Sequence, residues 1–157
     1  EYDVRVVKVV DGDTVDVDID LGFGVTLTDE RVRVMGIDTP ESRTRDKVED
    51  LFGEAAKARL KELMKGGGKL VTTEDRKGED MKGKFGRILG DFKVDYNGET
   101  KLVTDILVEE GHAVAYFGGS KKEITMKHLA NREKLLREEV ISRSSYDKAV
   151  QLMENKK

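Results

Sequence analysis

Three short segments of this chain carry polar side chains whose types and spacing could do chemistry. They are Asp11-Gly12-Asp13-Thr14, then Arg33 followed by Asp38-Thr39-Pro40-Glu41, and finally Lys84-Phe85-Gly86-Arg87. Each is expected at the start or end of a strand, so Asp13 and Asp38, though distant in sequence, can converge on one cation. The chain has no cysteine, which leaves oxygen donors or the two histidines, and oxygen ligation favours calcium or magnesium. Arg33 and Arg87 suit a phosphate, because a guanidinium donates two parallel hydrogen bonds and stays charged. Glu41 is a candidate base. A cation and two guanidinium groups would answer the charge that builds on the oxygens of an attacked phosphodiester, while a nearby carboxylate orients water.

The elements that must position these groups can be read from periodicity. From Tyr2 to Ile37 apolar residues alternate (Val4, Val6; Val15, Val17, Ile19; Val32, Val34), the pattern of half-buried antiparallel strands. Three strands are predicted, broken at Asp11-Gly12-Asp13 and by a longer connection from Leu21 to Thr28. Phe52, Ala55, Ala56, Leu60, Leu63 and Met64 then fall at helical steps that end at Gly66-Gly67-Gly68. Lys69 to Thr73 and Arg87 to Tyr96 read as a fourth and a fifth strand, separated by a charged loop from Glu74 to Lys84; the fifth closes on an Asn97-Gly98 turn. Leu102, Val103, Ile106 and Leu107 give a short helix that stops at Gly111, a longer charged one runs from Thr125 to Val140, and Ser144 or Ser145 caps a final one to about Glu154. Strands first, one inserted helix, then strand and helices describe an α+β barrel. The expected organisation is one domain over residues 1–143, with residues 144–157 as its C-terminal helical extension.

Charge narrows the class without fixing it. The chain has 157 residues and a net charge of −3, but residues 1–41 hold 4 basic and 11 acidic side chains, leaving 25 basic and 21 acidic in the remainder. An acidic segment beside a mildly basic one fits a hard-cation site facing a phosphate-binding surface; it equally fits an acidic solvated sheet face. No stretch approaches the eighteen or so apolar residues of a membrane span, so no membrane partner is expected. The first residue is Glu1, compatible with removal of a targeting segment, and secreted and cytoplasmic locations both stay open.

The three segments, in their order and spacing, resemble the staphylococcal nuclease (thermonuclease) family. The resemblance extends from residue 4 to about 140 and takes in Val10 to Val15, Arg33 to Glu41, Phe52-Gly53-Glu54-Ala55, Lys84 to Arg87, Leu107 to Gly111 and Ala113 to Tyr116. It implies a five-stranded OB-type barrel with three helices and a calcium-dependent hydrolysis of DNA and RNA to 3′-phosphorylated products, single-stranded or locally open substrate being preferred by a monomer. By the same likeness Asp13, Asp38 and the main-chain carbonyl of Thr39 hold calcium, with Asp11 behind them. Arg33 and Arg87 hold the attacked phosphate, and Glu41 positions or deprotonates water. Lys84, Phe85 and Tyr116 match positions that contact bound nucleotide, although Phe85 stands where the family often has tyrosine and Gly118 where a second tyrosine is common. Lys82, Lys84, Lys121 and Lys122 are expected along the nucleic-acid backbone.

Other readings weigh less. Asp16-Val17-Asp18-Ile19-Asp20 opens like a calcium-binding EF-hand loop, but Leu21 and Leu27 occupy the positions where that loop needs glycine and glutamate. Gly66-Gly67-Gly68-Lys69 lacks the spacing of a phosphate-binding loop. His112 and His128 read as surface or packing residues. The main alternative function is an OB module that binds single strands without cutting them; the joint presence of Asp13, Arg33, Asp38, Glu41 and Arg87 favours an enzyme.

Overall fold

The computed structural model describes residues 1–72, 88–116 and 120–154. Its elements in chain order are β1 (Tyr2–Asp11), β2 (Thr14–Gly22), β3 (Val25–Val34), β4 (Ile37–Asp38), α1 (Lys47–Leu63), β5 (Gly68–Thr72), β6 (Ile88–Tyr96), β7 (Glu99–Leu102), α2 (Val103–Glu110), β8 (Val114–Ala115), α3 (Lys121–Arg137) and α4 (Arg143–Glu154). Alternate valines drive the first three strands into an antiparallel meander, with Val15, Val17, Val32 and Val34 fully buried. β5 pairs with β1 and β6, and β6 pairs in parallel with β3, so β1-β2-β3-β6-β5 closes as a five-stranded barrel. This is the α+β, OB-type architecture expected from the sequence, and closure leaves none of the five with a free edge.

α1 joins two apolar clusters. Its Leu60 and the C-cap residue Met64 enter the barrel core, whereas Phe52 packs with Leu135 and Ile141 in a smaller cluster beneath α3 and α4. Tyr146 of α4 meets Phe52 edge-on, with centroids 6.2 Å apart. The C-terminal helix thus anchors on the same helix that borders the carboxylate segment.

Several local expectations are corrected. The Leu21–Thr28 connection is not a long loop: β2 continues to Gly22 and β3 resumes at Val25, across a two-residue turn in which Phe23 (φ 54°) and Gly24 (φ 74°) are both left-handed. α3 starts at Lys121 rather than Thr125, because the Ser120 side chain accepts from Glu123 N at 3.2 Å. The cap of α4 is Ser142, whose hydroxyl accepts from Ser145 N at 3.1 Å, not Ser144 or Ser145. After Asn97-Gly98 the chain forms β7, a short strand outside the barrel that the sequence reading passes over.

His112, just after α2, is buried, and its Nδ1 has no hydrogen-bond partner among the described residues. Burial pushes its imidazole below the ordinary 6.5; Glu110 and Glu62 oppose that shift and Arg59 adds to it. A histidine kept neutral by folding contributes stability that is fully present above the unfolded pKa and is lost as pH falls below it. Stability against thermal unfolding should therefore fall from about pH 6.5 downward, by at most about 1.4 kcal/mol per pH unit for one proton. His112→Leu should flatten that acid limb; equal pH slopes for both proteins in calorimetry would count against this assignment.

Candidate active site

The β1–β2 turn and the segment after β3 meet at one end of the barrel because of strand register. Thr14 pairs with Arg33 across β2 and β3, and Val34 N donates to Asp13 O at 2.8 Å. Two residues beyond the β3 end, β4 pairs with β8 through Asp38 and Val114, which fixes the backbone of the second acidic segment. The result is a cavity of about 330 Å³ lined by Asp11, Asp13, Thr14, Arg33, Asp38, Thr39, Pro40, Glu41 and Ser42. The structure thus brings together Asp11, Asp13, Arg33, Asp38, Thr39 and Glu41 of the residues singled out above.

Each aspartate has a donor. Asp13 accepts from Thr14 Oγ1 at 3.0 Å and lies 3.2 Å from Arg33 Nη1. The Arg33 guanidinium also donates to the carbonyls of Val34 and Ile37, so its direction is set by the β3–β4 connection. Asp11 accepts from Ser42 Oγ and lies 3.6 Å from Arg43 Nη2. Asp38 Oδ2 is 2.7 Å from His128 Nε2 on α3. The reading of His128 as a surface or packing residue is therefore incomplete: the ring is mostly buried and bonded to a candidate ligand. By contrast, Asp16 and Asp18 pair with Arg31 and Arg5 on the strand face and do not line this cavity.

Two glycines let the backbone close around the site. A Cβ at Gly12 would lie 2.8 Å from the Ala56 Cβ of α1 and 3.3 Å from Thr39, so only glycine lets the Asp11–Asp13 turn seat against both. A Cβ at Gly53 would lie 2.2 Å from the carbonyl oxygen of Glu41. α1 is pressed directly onto the main chain of the candidate base. Glu49 of α1 completes this support: it accepts Glu41 N at 3.0 Å and takes Arg132 Nη2 of α3 at 2.6 Å. Ser42, Glu49, His128 and Arg132 were not picked out as site residues by sequence reasoning. Ser42 adjoins Glu41 and could have been inferred; the other three act across helix faces whose partners only the fold supplies.

Lys82, Lys84, Phe85 and Arg87 fall outside the described residues. Tyr116 is half-exposed, and its N–H donates to Gly36 O at 2.9 Å, placing its backbone beside the β3–β4 connection. Lys121 lines a second cavity of about 360 Å³ that shares Asp38, Thr39 and Glu41 with the first and has His128 and Arg132 on its far side. A groove next to Met35 and Ile37 holds Asp91, whose carboxyl burial pushes above the usual carboxylate range.

The donor chemistry fits a hard divalent cation. Among the described residues, four carboxylates and one guanidinium line the first cavity, and the side-chain donors there that could face a cation are oxygens. Among the described residues no cluster of three or more His, Cys, Asp or Glu side chains could hold a metal by itself. An ion here would need Asp13 and Asp38 supplemented by a main-chain carbonyl, such as that of Thr39, and by water, which is ordinary for calcium or magnesium.

Comparison with known proteins bears on Arg33 and the Asp38–Glu41 segment, and the family match begins downstream of the Asp11–Asp13 turn. Residues 31–142 match the family described as staphylococcal nuclease homologue. The SPbeta prophage-derived endonuclease YokF of Bacillus subtilis (strain 168) is 38% identical over 115 residues, which cover 73% of this chain and 34% of YokF. The chain thus spans about a third of the length of that relative.

The Gly53 contact yields a test in which two effects oppose each other. Helix propensity alone makes alanine more stable than glycine by about 1 kcal/mol inside a helix, whereas the contact with the Glu41 carbonyl forces backbone to move. Gly53→Ala should lower Tm and shift the amide resonances of Glu41 and Ser42. A raised Tm with those resonances unmoved would mean that the close approach is not a constraint.

Proposed function

From membership of the staphylococcal nuclease family, to which this chain belongs by its match over residues 31–142, we propose that it is a calcium-dependent nuclease. It hydrolyses phosphodiester bonds of DNA and RNA, preferring single-stranded or locally open substrate, and leaves 3′-phosphate ends. The observation that carries this reading is the convergence of Asp13, Asp38, Thr39, Arg33 and Glu41 on one cavity. The relative YokF is named an endonuclease.

The residues divide the work by chemistry. Asp13, Asp38 and the carbonyl of Thr39 would hold the calcium ion, with Asp11 behind them, bonded to Ser42. When bound, that ion supplies positive charge at the phosphate and acidifies water. Arg33, its guanidinium already aimed by two carbonyls, donates to the phosphoryl oxygens as charge builds on them. Arg87 is assigned the partner role on the family resemblance. Glu41 orients the attacking water, and the absence of a side-chain hydrogen bond to Glu41 among the described residues leaves its carboxylate available for that task. Lys84, Phe85 and Tyr116 would contact the nucleotide, and Lys121 and Lys122 the backbone that leads from it.

Incubating the purified chain with single-stranded DNA and with RNA, in calcium, magnesium or chelator, tests the reading when product ends are analysed. Cleavage with calcium and 3′-phosphate ends are expected, and equal cleavage in chelator would overturn the proposal. Binding without cleavage in calcium would identify a non-catalytic single-strand module instead. Arg87→Gly should lower turnover by about 10² to 10³, the usual cost of removing one preorganised donor, with far-UV circular dichroism unchanged. A variant within about threefold of the parent would remove Arg87 from the mechanism.

A further inference from the structure

His128 is bonded to a proposed cation ligand, Asp38, and lines the second cavity but not the first among the described residues. Its Nε2 lies 2.7 Å from Asp38 Oδ2, and its side chain is 14% exposed against 43% for Asp38. An ionised carboxylate accepts only, so the imidazole must donate through Nε2; Nδ1 is buried without a partner among the described residues. The ring's one directed polar contact is therefore to Asp38. Asp38 belongs to the wall shared by the two cavities, and His128 lines only the second. Side chains of α3 tie the helix that carries the ring to its neighbours: Asn131 Nδ2, three residues on, donates to Ala113 O at 3.2 Å, and Lys134 Nζ donates to Glu109 O.

An aspartate has a soft terminal torsion, so an unrestrained carboxylate samples a broad range about it. A cation that uses such a ligand must first freeze it, which weakens binding. Hydrogen bonds from behind a ligand remove that cost, and their loss typically reduces metal affinity by about 10- to 100-fold. We infer that His128 is a positioning residue: it commits Asp38 Oδ2 to α3 and leaves Oδ1 for the cation. The inference rests on the proposed cation site, and it gives α3 a task beyond covering the smaller apolar cluster. Arg132, one turn further along the same helix, supports Glu41 through Glu49, so one helix face steadies both halves of the second acidic segment.

Calcium titrated calorimetrically into the metal-free, folded protein tests the inference without reference to cleavage. His128→Leu keeps an apolar body but no donor, and should weaken calcium binding by about 10- to 100-fold. His128→Gln keeps an N–H at similar reach and should bind within about threefold of the parent; a merely structural histidine would not give this rescue. His128→Asn, polar but too short to reach Oδ2, should behave as His128→Leu does and replaces it should that variant fail to fold. Asp38→Asn is the reference: if it binds calcium as the parent does, the cation site itself is wrong. If Asp38→Asn loses binding while the donor-free His128 variants keep parental affinity, the site stands and the role given to His128 falls.

Discussion

Asp11, Asp13, Asp38 and Glu41 share one cavity, and two carboxylates 4 Å apart near a protein surface repel by about 4 kcal/mol. The chain offsets part of that repulsion locally. Arg33 faces Asp13, Ser42 and Arg43 face Asp11, and His128 faces Asp38. Among the described residues a single guanidinium in the cavity wall faces four carboxylates, so a further positive charge stabilises the arrangement. That deficit is the physical reason for reading the site as one for a divalent ion.

Such a concentration of charge persists only where the backbone is over-determined. Covalent linkage fixes Asp11 relative to Asp13, and barrel register fixes Asp13 relative to Arg33. The β4–β8 ribbon and α1 fix Asp38 and Glu41, with Gly12 and Gly53 giving the contact distances. The smaller cluster of Phe52, Leu135 and Ile141 binds α1 to α3. Truncating a buried phenylalanine typically costs about 3 to 5 kcal/mol, which is of the same order as one repulsive carboxylate pair. Packing remote from the cavity is thus strong enough to hold the helices whose side chains steady it.

Legibility in the sequence follows the range of the interactions. Alternating valines and helical steps reveal the barrel strands and α1, because those patterns are local. Asp13, Arg33, Asp38 and Glu41 stand out because their order and spacing match a family pattern, and the fold then brings them together. The Leu21–Thr28 segment misleads because a turn with a bulky Phe23 at positive φ lacks the usual Asn-Gly signal. His128 and Arg132 sit in a helix of mixed charges, where a histidine looks like any solvated residue. Their partners, Asp38 and Glu49, lie 90 and 83 residues away, and no local rule connects them.

A net charge of −3 at first argues against a polyanion as partner, yet the location of the charge reverses that inference. Much of the excess acid of residues 1–41 is either engaged by arginine on the strand face, as with Asp16 and Asp18, or collected in the cavity. On the proposed reading a divalent ion cancels much of the cavity charge and presents an electropositive centre beside Arg33. A phosphate approaching the ion-free cavity meets four carboxylates; one approaching the loaded cavity meets a cation and a guanidinium. Ion and phosphate therefore favour each other's binding, and by linkage each raises the affinity of the other by the same factor. On that reading, the acidity that seems to disqualify the chain is what would make its hold on a polyanion conditional on the ion.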